Sequence, residues 1–176
     1  TETAAHIGGG GFGSPTRVSG SVDVTIGYDA DDNLAGTATI YGDVYGGSEK
    51  GYVNGTSASN SLHTNVNVTG GTINGNVYGG GLGDASNAAN TYGDTKVTVS
   101  GGLVNGSVFG CNNQNGRPYD PSVTVEMTGG KVTNHFFGGG NQAGYTGTTY
   151  VNIKDGEVVK NVYGGGLGQN APVTGS

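Results

Sequence analysis

The stretch Asn76-Val-Tyr-Gly-Gly-Gly81 decides the fold, because it recurs with small changes about every thirty residues. Later copies are Ser107-Val-Phe-Gly-Cys-Asn112, His135-Phe-Phe-Gly-Gly-Gly140 and Asn161-Val-Tyr-Gly-Gly-Gly166. Earlier copies are Asp43-Val-Tyr-Gly-Gly-Ser48 and, more loosely, Ile7-Gly-Gly-Gly-Gly-Phe12. Such self-similarity indicates a stack of supersecondary units, each too small to bury its apolar face alone.

Spacing within a unit is constant, whereas spacing between units is not. Four units align without a gap, at Val68, Gly71, Ile73, Val77 and Tyr78; Val99, Gly102, Val104, Val108 and Phe109; Met127, Gly130, Val132, Phe136 and Phe137; and Ile153, Gly156, Val158, Val162 and Tyr163. All variation in length follows the glycine run, in segments such as 82–96 and 112–122. A loop lengthens at a cost of only about 0.6 kcal/mol per doubling, whereas a packed segment cannot change length. We therefore expect each unit to have a rigid wall and a variable edge.

The rigid part has the pattern of short strands. Segments 66–69, 97–100, 123–127 and 151–154 alternate apolar and polar residues, and glycine pairs follow them where a corner needs positive φ. No helical stripe is present. The pattern predicts an all-β fold, a parallel β-helix (β-solenoid) of about five to six rungs with glycine-rich corners and variable loops on one edge. A twisted antiparallel sandwich is the alternative, but it does not readily explain the constant offsets.

Length and composition fit one repeat domain over residues 1–176, with regular rungs at 65–176 and irregular rungs at 7–64. Val22–Ile26 resembles the opening strand of a rung, and Ile40 aligns with Ile73. The chain has 39 glycines and 32% hydrophobic residues, which suits a solenoid with few inward side chains per rung. Disorder is the alternative for such a composition, and the registered Val, Ile and Tyr positions argue against it. Because both ends fall inside recognisable motif, we expect a piece of a longer repeat protein or a processed chain.

Charge and hydropathy restrict the partners. The net charge is −6 with only seven Lys plus Arg, so no basic stripe is available for nucleic acid. No apolar run approaches the roughly 20 residues of a membrane helix, so no membrane insertion is expected. The single cysteine excludes an internal disulfide. Abundant Gly, Asn, Thr and Ser in place of charge is typical of exported β-rich proteins, and we expect an extracellular or cell-surface location in a bacterium.

One aromatic residue occupies the same place in five units, at Tyr45, Tyr78, Phe109, Phe137 and Tyr163. In a β-helix these rings stack in a ladder. The ladder has a structural interpretation, as offset ring contacts worth about 0.5–1.5 kcal/mol each, and a functional one, as a platform for a glycan.

Asp29, Asp31 and Asn33 form the sharpest metal signal. Oxygen ligands at alternate positions are what a calcium loop uses to converge on one cation. Leu34 stands where such a loop has glycine and Ile40 where it has glutamate, so a solvated acidic turn is the alternative. Calcium is thus the one cofactor that the sequence suggests.

Catalytic constellations are not evident. Arg17 and Arg117 are the only arginines, both in predicted loops, which poorly supplies a lyase site for acidic sugars. The three histidines are scattered, and Cys111 replaces a glycine of the repeat and has no base at a suggestive spacing. We therefore expect a protein that is not an enzyme.

In general pattern the Val-Tyr-Gly-Gly-Gly repeat resembles the glycine-rich β-solenoid regions of bacterial surface adhesins. The resemblance is one of architecture and implies a non-enzymatic extracellular scaffold, whose variable loops 82–96 and 112–122 contact a surface glycan or protein. The alternative is a self-assembling subunit, a homo-oligomer that stacks end to end into a filament through exposed strand edges.

Overall fold

The computed structural model describes residues 4–14, 16–27, 36–55, 61–119 and 121–168. Within these ranges the protein is all-β, with sixteen strands and no helix. The strands are β1 (Ile7–Gly8), β2 (Arg17–Val18), β3 (Val22–Ile26), β4 (Thr39–Ile40), β5 (Val44–Tyr45), β6 (Tyr52–Val53), β7 (His63–Val68), β8 (Thr72–Ile73), β9 (Val77–Tyr78), β10 (Asp94–Val99), β11 (Leu103–Val104), β12 (Val108–Phe109), β13 (Ser122–Val132), β14 (Phe136–Phe137), β15 (Thr148–Val158) and β16 (Val162–Tyr163).

The strands form three separate sheets, and every described strand pair is parallel. The ladder sheet has six strands in the order β1-β5-β9-β12-β14-β16. The main sheet has the order β3-β7-β10-β13-β11-β8-β4, with β15 paired to β13. The loop sheet pairs β2 with β6, and isolated parallel bridges extend it from Val53 to Thr91 and from Thr91 to Pro118.

The register of these sheets is the one that the repeat predicts. In the main sheet Val68 pairs with Val99, which pairs with Met127 and then Ile153. In the ladder sheet Val77 pairs with Val108, and the pairing continues through Phe136 and Val162. The looser copies follow the same rule, since Ile7 pairs with Val44 and Ile40 with Ile73.

Part of the predicted fold class is therefore confirmed: the protein is all-β and its strands are parallel. The antiparallel sandwich is wrong, because parallel pairing between consecutive copies needs a crossover and a sandwich joins neighbours by hairpins. The three sheets are separate, so the finer prediction of a continuous β-helix of five to six rungs stays a prediction.

One hydrophobic cluster receives side chains from all three sheets. Val66, Val97 and Val125 enter it from the main sheet, Val44 from the ladder sheet and Val53 from the loop sheet. Strands β7 and β10 alternate strictly between buried and less buried residues, as the period of a half-buried strand requires. The few inward side chains of each unit thus suffice for a core because the units share it.

The repeat glycines have two different structural roles. Gly71, Gly102, Gly130 and Gly156 turn the chain at equivalent corners with φ between 72° and 97°, where a side chain would be strained. The first glycine after each of the first four ladder aromatics has another role, because a Cβ there would overlap the neighbouring unit. At Gly110 this Cβ would meet the carbonyl oxygen of Gly138 and lie 2.6 Å from Val125 Cγ2.

The outer face of the main sheet is polar and carries ion pairs between units. Lys96 Nζ lies 3.1 Å from Glu126 Oε2, and Lys154 pairs with the other oxygen of the same carboxylate. Hydrogen bonds from Lys154 and then Lys96 lower the pKa of Glu126. Both lysines are well exposed, so these ion pairs add little to the stability of the protein. No helix in the described part of the chain is long and apolar enough to cross a membrane.

Candidate binding surface on the variable segments

The five repeat aromatics form a stack of nearly parallel rings. Successive ring centroids, from Tyr45 to Tyr163, are 4.8–5.0 Å apart with interplanar angles of 5–11°. The first four rings are 1–3% exposed, and Leu82 packs against them. Burial raises the pKa of the Tyr45 and Tyr78 hydroxyls well above their usual range. A ligand therefore cannot lie along the flank of this ladder, and of its two ends only the one at Tyr163, which is 43% exposed, is open to a glycan.

A second row of aromatic side chains lies on the variable segments. Tyr52, Tyr92 and Tyr119 come from three successive units, and we call them the tyrosine row. The Tyr52 and Tyr92 rings meet edge to face at 6.3 Å, and the Tyr92 and Tyr119 rings stack at 4.7 Å. All three side chains are half-buried, so each is both supported and accessible.

Backbone pairing between the variable segments positions this row. Val53, Thr91 and Pro118 are buried and paired in register, so the residues beside them project to the outside. Tyr92 N donates to Val53 O at 3.2 Å, and Tyr119 N donates to Thr91 O at 2.8 Å. The variable segments differ in length but pair with one another at Val53, Thr91 and Pro118. Tyrosines at unequal spacing in the sequence therefore come together.

Buried asparagines hold the variable segments against the sheets. Asn54 is fully buried, and its amide donates to Thr64 Oγ1 at 2.8 Å and to Tyr92 O at 2.6 Å. The Asn112 amide donates to Ala89 O at 2.5 Å. The bonds to Tyr92 O and Ala89 O each tie a backbone carbonyl of one variable segment to a buried asparagine side chain. The surface is thereby preorganised, which lowers the entropy lost when a ligand binds.

Both arginines of the chain flank the tyrosine row. Arg17 Cζ lies 5.6 Å from the centroid of Tyr52, and Arg117 Cζ lies 4.5 Å from the centroid of Tyr119. These are cation–π distances, and a guanidinium packed on a ring can still donate hydrogen bonds to a second partner. Arg117 Nη1 already donates one to Thr146 Oγ1 at 3.3 Å. Neither arginine makes an ion pair with the described carboxylates.

Two open clefts adjoin the ends of the row. A cleft of about 590 Å³ is lined by Arg117, Tyr119 and Thr146, among others. At the other end a cleft of about 240 Å³ is lined by Arg17, Lys50, Tyr52 and residues 86–88. Lys50 Nζ is partly neutralised there by Asp84 Oδ2 at 3.4 Å.

Asp84 orders the turn beside the smaller cleft. Its Oδ1 accepts hydrogen bonds from the backbone amides of Ser86, at 2.9 Å, and Asn87, at 2.8 Å. These bonds favour the charged form, and they lower the pKa of Asp84 to about 2. The turn is therefore held by a carboxylate that stays ionised in any neutral or mildly acidic solution.

Sequence patterns alone did not point to the tyrosine row, because its members occupy no common offset in the repeat. Tyr52, Tyr92 and Tyr119 follow their ladder aromatics by 7, 14 and 10 residues, respectively. One usable signal was present, since each variable segment after the first three ladder aromatics carries a tyrosine. The prediction that the variable segments share one edge identified the right surface but not its side chains.

The remaining predicted site residues lie elsewhere. Asp29, Asp31 and Asn33 fall outside the described residues, so the calcium hypothesis stays a prediction. No group of three or more His, Cys, Asp or Glu that could hold a metal occurs in the part of the chain that the structure describes. Cys111 is fully buried, and desolvation raises the pKa of its thiol far above the usual range. His135 lies against the rings of Phe137 and Tyr163 at the far end of the ladder.

Comparisons with protein families, with curated proteins and with solved structures find no match for this chain. The function must therefore be argued from the surface itself.

Proposed function

We propose that the protein is a non-enzymatic extracellular scaffold, from a bacterium, that binds a glycan on its tyrosine row. One observation carries the proposal: three half-buried tyrosines from three variable segments lie in a row with an arginine at each end. Aromatic faces pack on the apolar faces of sugar rings, and their hydroxyls hydrogen-bond at the edge. Neither a nucleophile nor a general base is needed for this role.

The arginines favour an acidic glycan. A guanidinium binds a carboxylate through two parallel hydrogen bonds, and neither arginine is already paired with a described carboxylate. The protein as a whole carries a charge of −6, which repels polyanions at long range. We therefore expect recognition of spaced carboxylates on a sugar chain, not of densely charged polymers such as nucleic acid.

The scaffold that presents this row is, in our proposal, a parallel β-helix of five to six rungs. Support comes from the parallel register, which repeats between consecutive units in the ladder sheet, the main sheet and the loop sheet. The shared hydrophobic cluster gives the same support, since it takes side chains from all three sheets. In such a winding the variable segments leave the helix on one edge, and the tyrosine row is the line where they meet.

Binding to immobilised polysaccharides tests the functional proposal. We expect the protein to bind uronic-acid-containing glycans more tightly than neutral ones. Tyr92→Ala removes the central ring and should weaken binding about two- to twelvefold, the equivalent of the roughly 0.5–1.5 kcal/mol of an aromatic contact. Tyr41→Ala is the matched control, because Tyr41 is 70% exposed and lies outside the row. Equal binding by Tyr92→Ala and the wild type, or no glycan binding at all, would contradict the proposal.

A second candidate function is end-to-end assembly, and the exposed apolar edge of the last strands favours it. Ile153 and Val162 are each 44% exposed, whereas Met127 and Phe136, their partners in the preceding unit, are fully buried. An added Cβ at Gly164 meets nothing within 4 Å. At Gly110 and Gly138, which hold the same place in the motif, an added Cβ would overlap the next unit. A second copy docked in the same register would close this edge as one unit closes another.

Gly164→Ala tests whether copies of the protein stack on the exposed edge or whether the edge is merely exposed. If copies stack in register, the wild type forms longer particles as concentration rises, and Gly164→Ala remains a monomer of unchanged Tm. Sedimentation velocity over a concentration series measures both. Monomers of the wild type at every concentration would exclude this second function and leave glycan binding untouched.

A further inference from the structure

The larger of the two clefts beside the tyrosine row lies between the variable segments of two consecutive units. Its volume is about 590 Å³, within the range of small-molecule sites, roughly 300–1,000 Å³. The first segment contributes one cation, an aromatic side chain and two prolines, and the second contributes two hydroxyl groups beside a glycine: Arg117, Pro118, Tyr119, Pro121, Thr146, Gly147 and Thr148. The cleft is therefore large enough for a sugar ring.

Backbone hydrogen bonds fix this lining before any ligand arrives. Arg117 N donates to Asn90 Oδ1 at 3.2 Å, and Thr91 N donates to Arg117 O, also at 3.2 Å. Thr148 N donates to Pro121 O at 2.9 Å, which joins the two segments that form the cleft. The two prolines stiffen the first segment further, because their rings fix φ. A ligand would thus lose little affinity to ordering of the protein.

The side chain of Arg117 is fixed as well, and this distinguishes it from the second arginine. Its Cζ lies 4.5 Å from the centroid of the Tyr119 ring, and its Nη1 donates to Thr146 Oγ1 at 3.3 Å. Arg117 is half-buried, whereas Arg17 at the other end of the row is exposed. Since salt screens a partly buried charge less than an exposed one, Arg117 attracts an anion more strongly.

The remaining donors of Arg117 suit a carboxylate. One N–H group binds Thr146, and the others have no ion-pair partner among the described carboxylates. A guanidinium holds a carboxylate by two parallel hydrogen bonds, which set its orientation as well as its position. The hydroxyl groups of Thr146 and Thr148 belong to the same lining and can pair with the hydroxyls of a sugar ring. The lining therefore matches a sugar that carries a carboxylate.

We propose that this cleft is a subsite for a single uronic acid residue. The carboxylate of the sugar binds Arg117 through two hydrogen bonds, and its ring hydroxyls bind Thr146 and Thr148. No aromatic face is needed for this recognition. The inference rests on the proposed glycan function, because it assigns one acid group of the glycan to one end of the tyrosine row. Since the subsite is complete without the row, it binds a monosaccharide as well.

Titration of the isotope-labelled protein with methyl glucuronide, followed by NMR, tests the subsite without the rest of a polysaccharide. We expect the backbone amide signals of Thr146, Gly147 and Thr148 to shift. Methyl glucoside, the neutral counterpart, should bind about tenfold more weakly, because it lacks the carboxylate. Arg117→Gln should weaken glucuronide binding to the level of the glucoside. Lys160→Gln is the control, because it removes an exposed positive charge outside the cleft and should leave binding unchanged.

Two further variants keep the test decisive if Arg117→Gln folds poorly. Arg117→Lys keeps the charge but loses the planar fork, and should weaken glucuronide binding about fivefold. Asp120 follows Tyr119 in the sequence and lies outside the described residues. Asp120→Asn should not weaken binding, because the ligand is itself an anion. Weaker binding by Asp120→Asn, or unchanged binding by Arg117→Lys, would overturn the proposal.

The choice of ligands separates this subsite from the tyrosine row. Glucoside that binds as tightly as glucuronide would overturn the proposal, and so would acetate, because the first lacks the carboxylate and the second lacks the sugar. Glucuronide binding in the cleft without polysaccharide binding would support the subsite and reject the row. Polysaccharide binding that Tyr92→Ala weakens, without glucuronide binding in the cleft, would support the row and overturn the subsite.

Discussion

The glycine after each of the first four ladder aromatics is required by space and not by φ. Among the described units, Gly46, Gly79, Gly110 and Gly138 lack the positive φ of the corner glycines, yet a Cβ at any of them would overlap the next unit's carbonyl oxygen. Main-chain atoms of adjacent units therefore approach more closely here than any side chain permits. This contact explains why the motif keeps glycine directly after Tyr or Phe.

Gly110→Ala tests this close approach. The new methyl group would overlap the Gly138 carbonyl and lie 2.6 Å from Val125 Cγ2, so two units must separate locally. We expect the free energy of unfolding to fall by about 1–3 kcal/mol, the usual cost of overpacking, in a urea titration. Gly164→Ala, at the same motif position with open space, should change it by less than about 0.5 kcal/mol. Equal destabilisation by both variants would refute the spatial explanation.

At the scale of single residues, the sequence predicted the contacts that the repeat enforces. Val68, Val99 and Met127 could be aligned because one strand pairs with the next at zero shift, and any slip would turn an inward side chain outward.

At the scale of elements, fixed and variable segments differ in how they are specified. The strands of the main sheet are determined by alternation, so their existence and direction follow from the sequence. The pairing of Val53 with Thr91 and of Thr91 with Pro118 involves single residues without periodic flanks, so no pattern predicted it. The tyrosine row depends on this pairing, and for that reason the candidate binding surface was predicted only as an edge.

Two separate aromatic rows arise from these two kinds of segment. The ladder consists of repeat positions and its first four rings are buried, whereas the tyrosine row is half-buried and consists of residues from the variable segments. Stacking in the ladder is a consequence of register and stabilises neighbouring units. Stacking in the tyrosine row holds rings at the surface, where the flanking arginines make the site chemically distinct from the rest of an acidic protein.

At the scale of the whole molecule, our account rests on one winding that aligns all three sheets. In the proposed β-helix each unit contacts mainly the units before and after it, so the core, the ladder and the tyrosine row would be three consequences of the same stacking. If the loop sheet were not in register with the main sheet, the core would remain but the tyrosine row would not exist. The relation between these sheets is therefore the central claim.

Backbone nuclear Overhauser contacts in the isotope-labelled protein test this claim most directly. Our account predicts parallel Hα–HN contacts between consecutive units in all three sheets of one molecule, including Val66 with Val97, Val77 with Val108, and Val53 with Thr91. Contacts in the main and ladder sheets without any between Val53 and Thr91 would contradict the continuous winding and, with it, the tyrosine row as a binding surface.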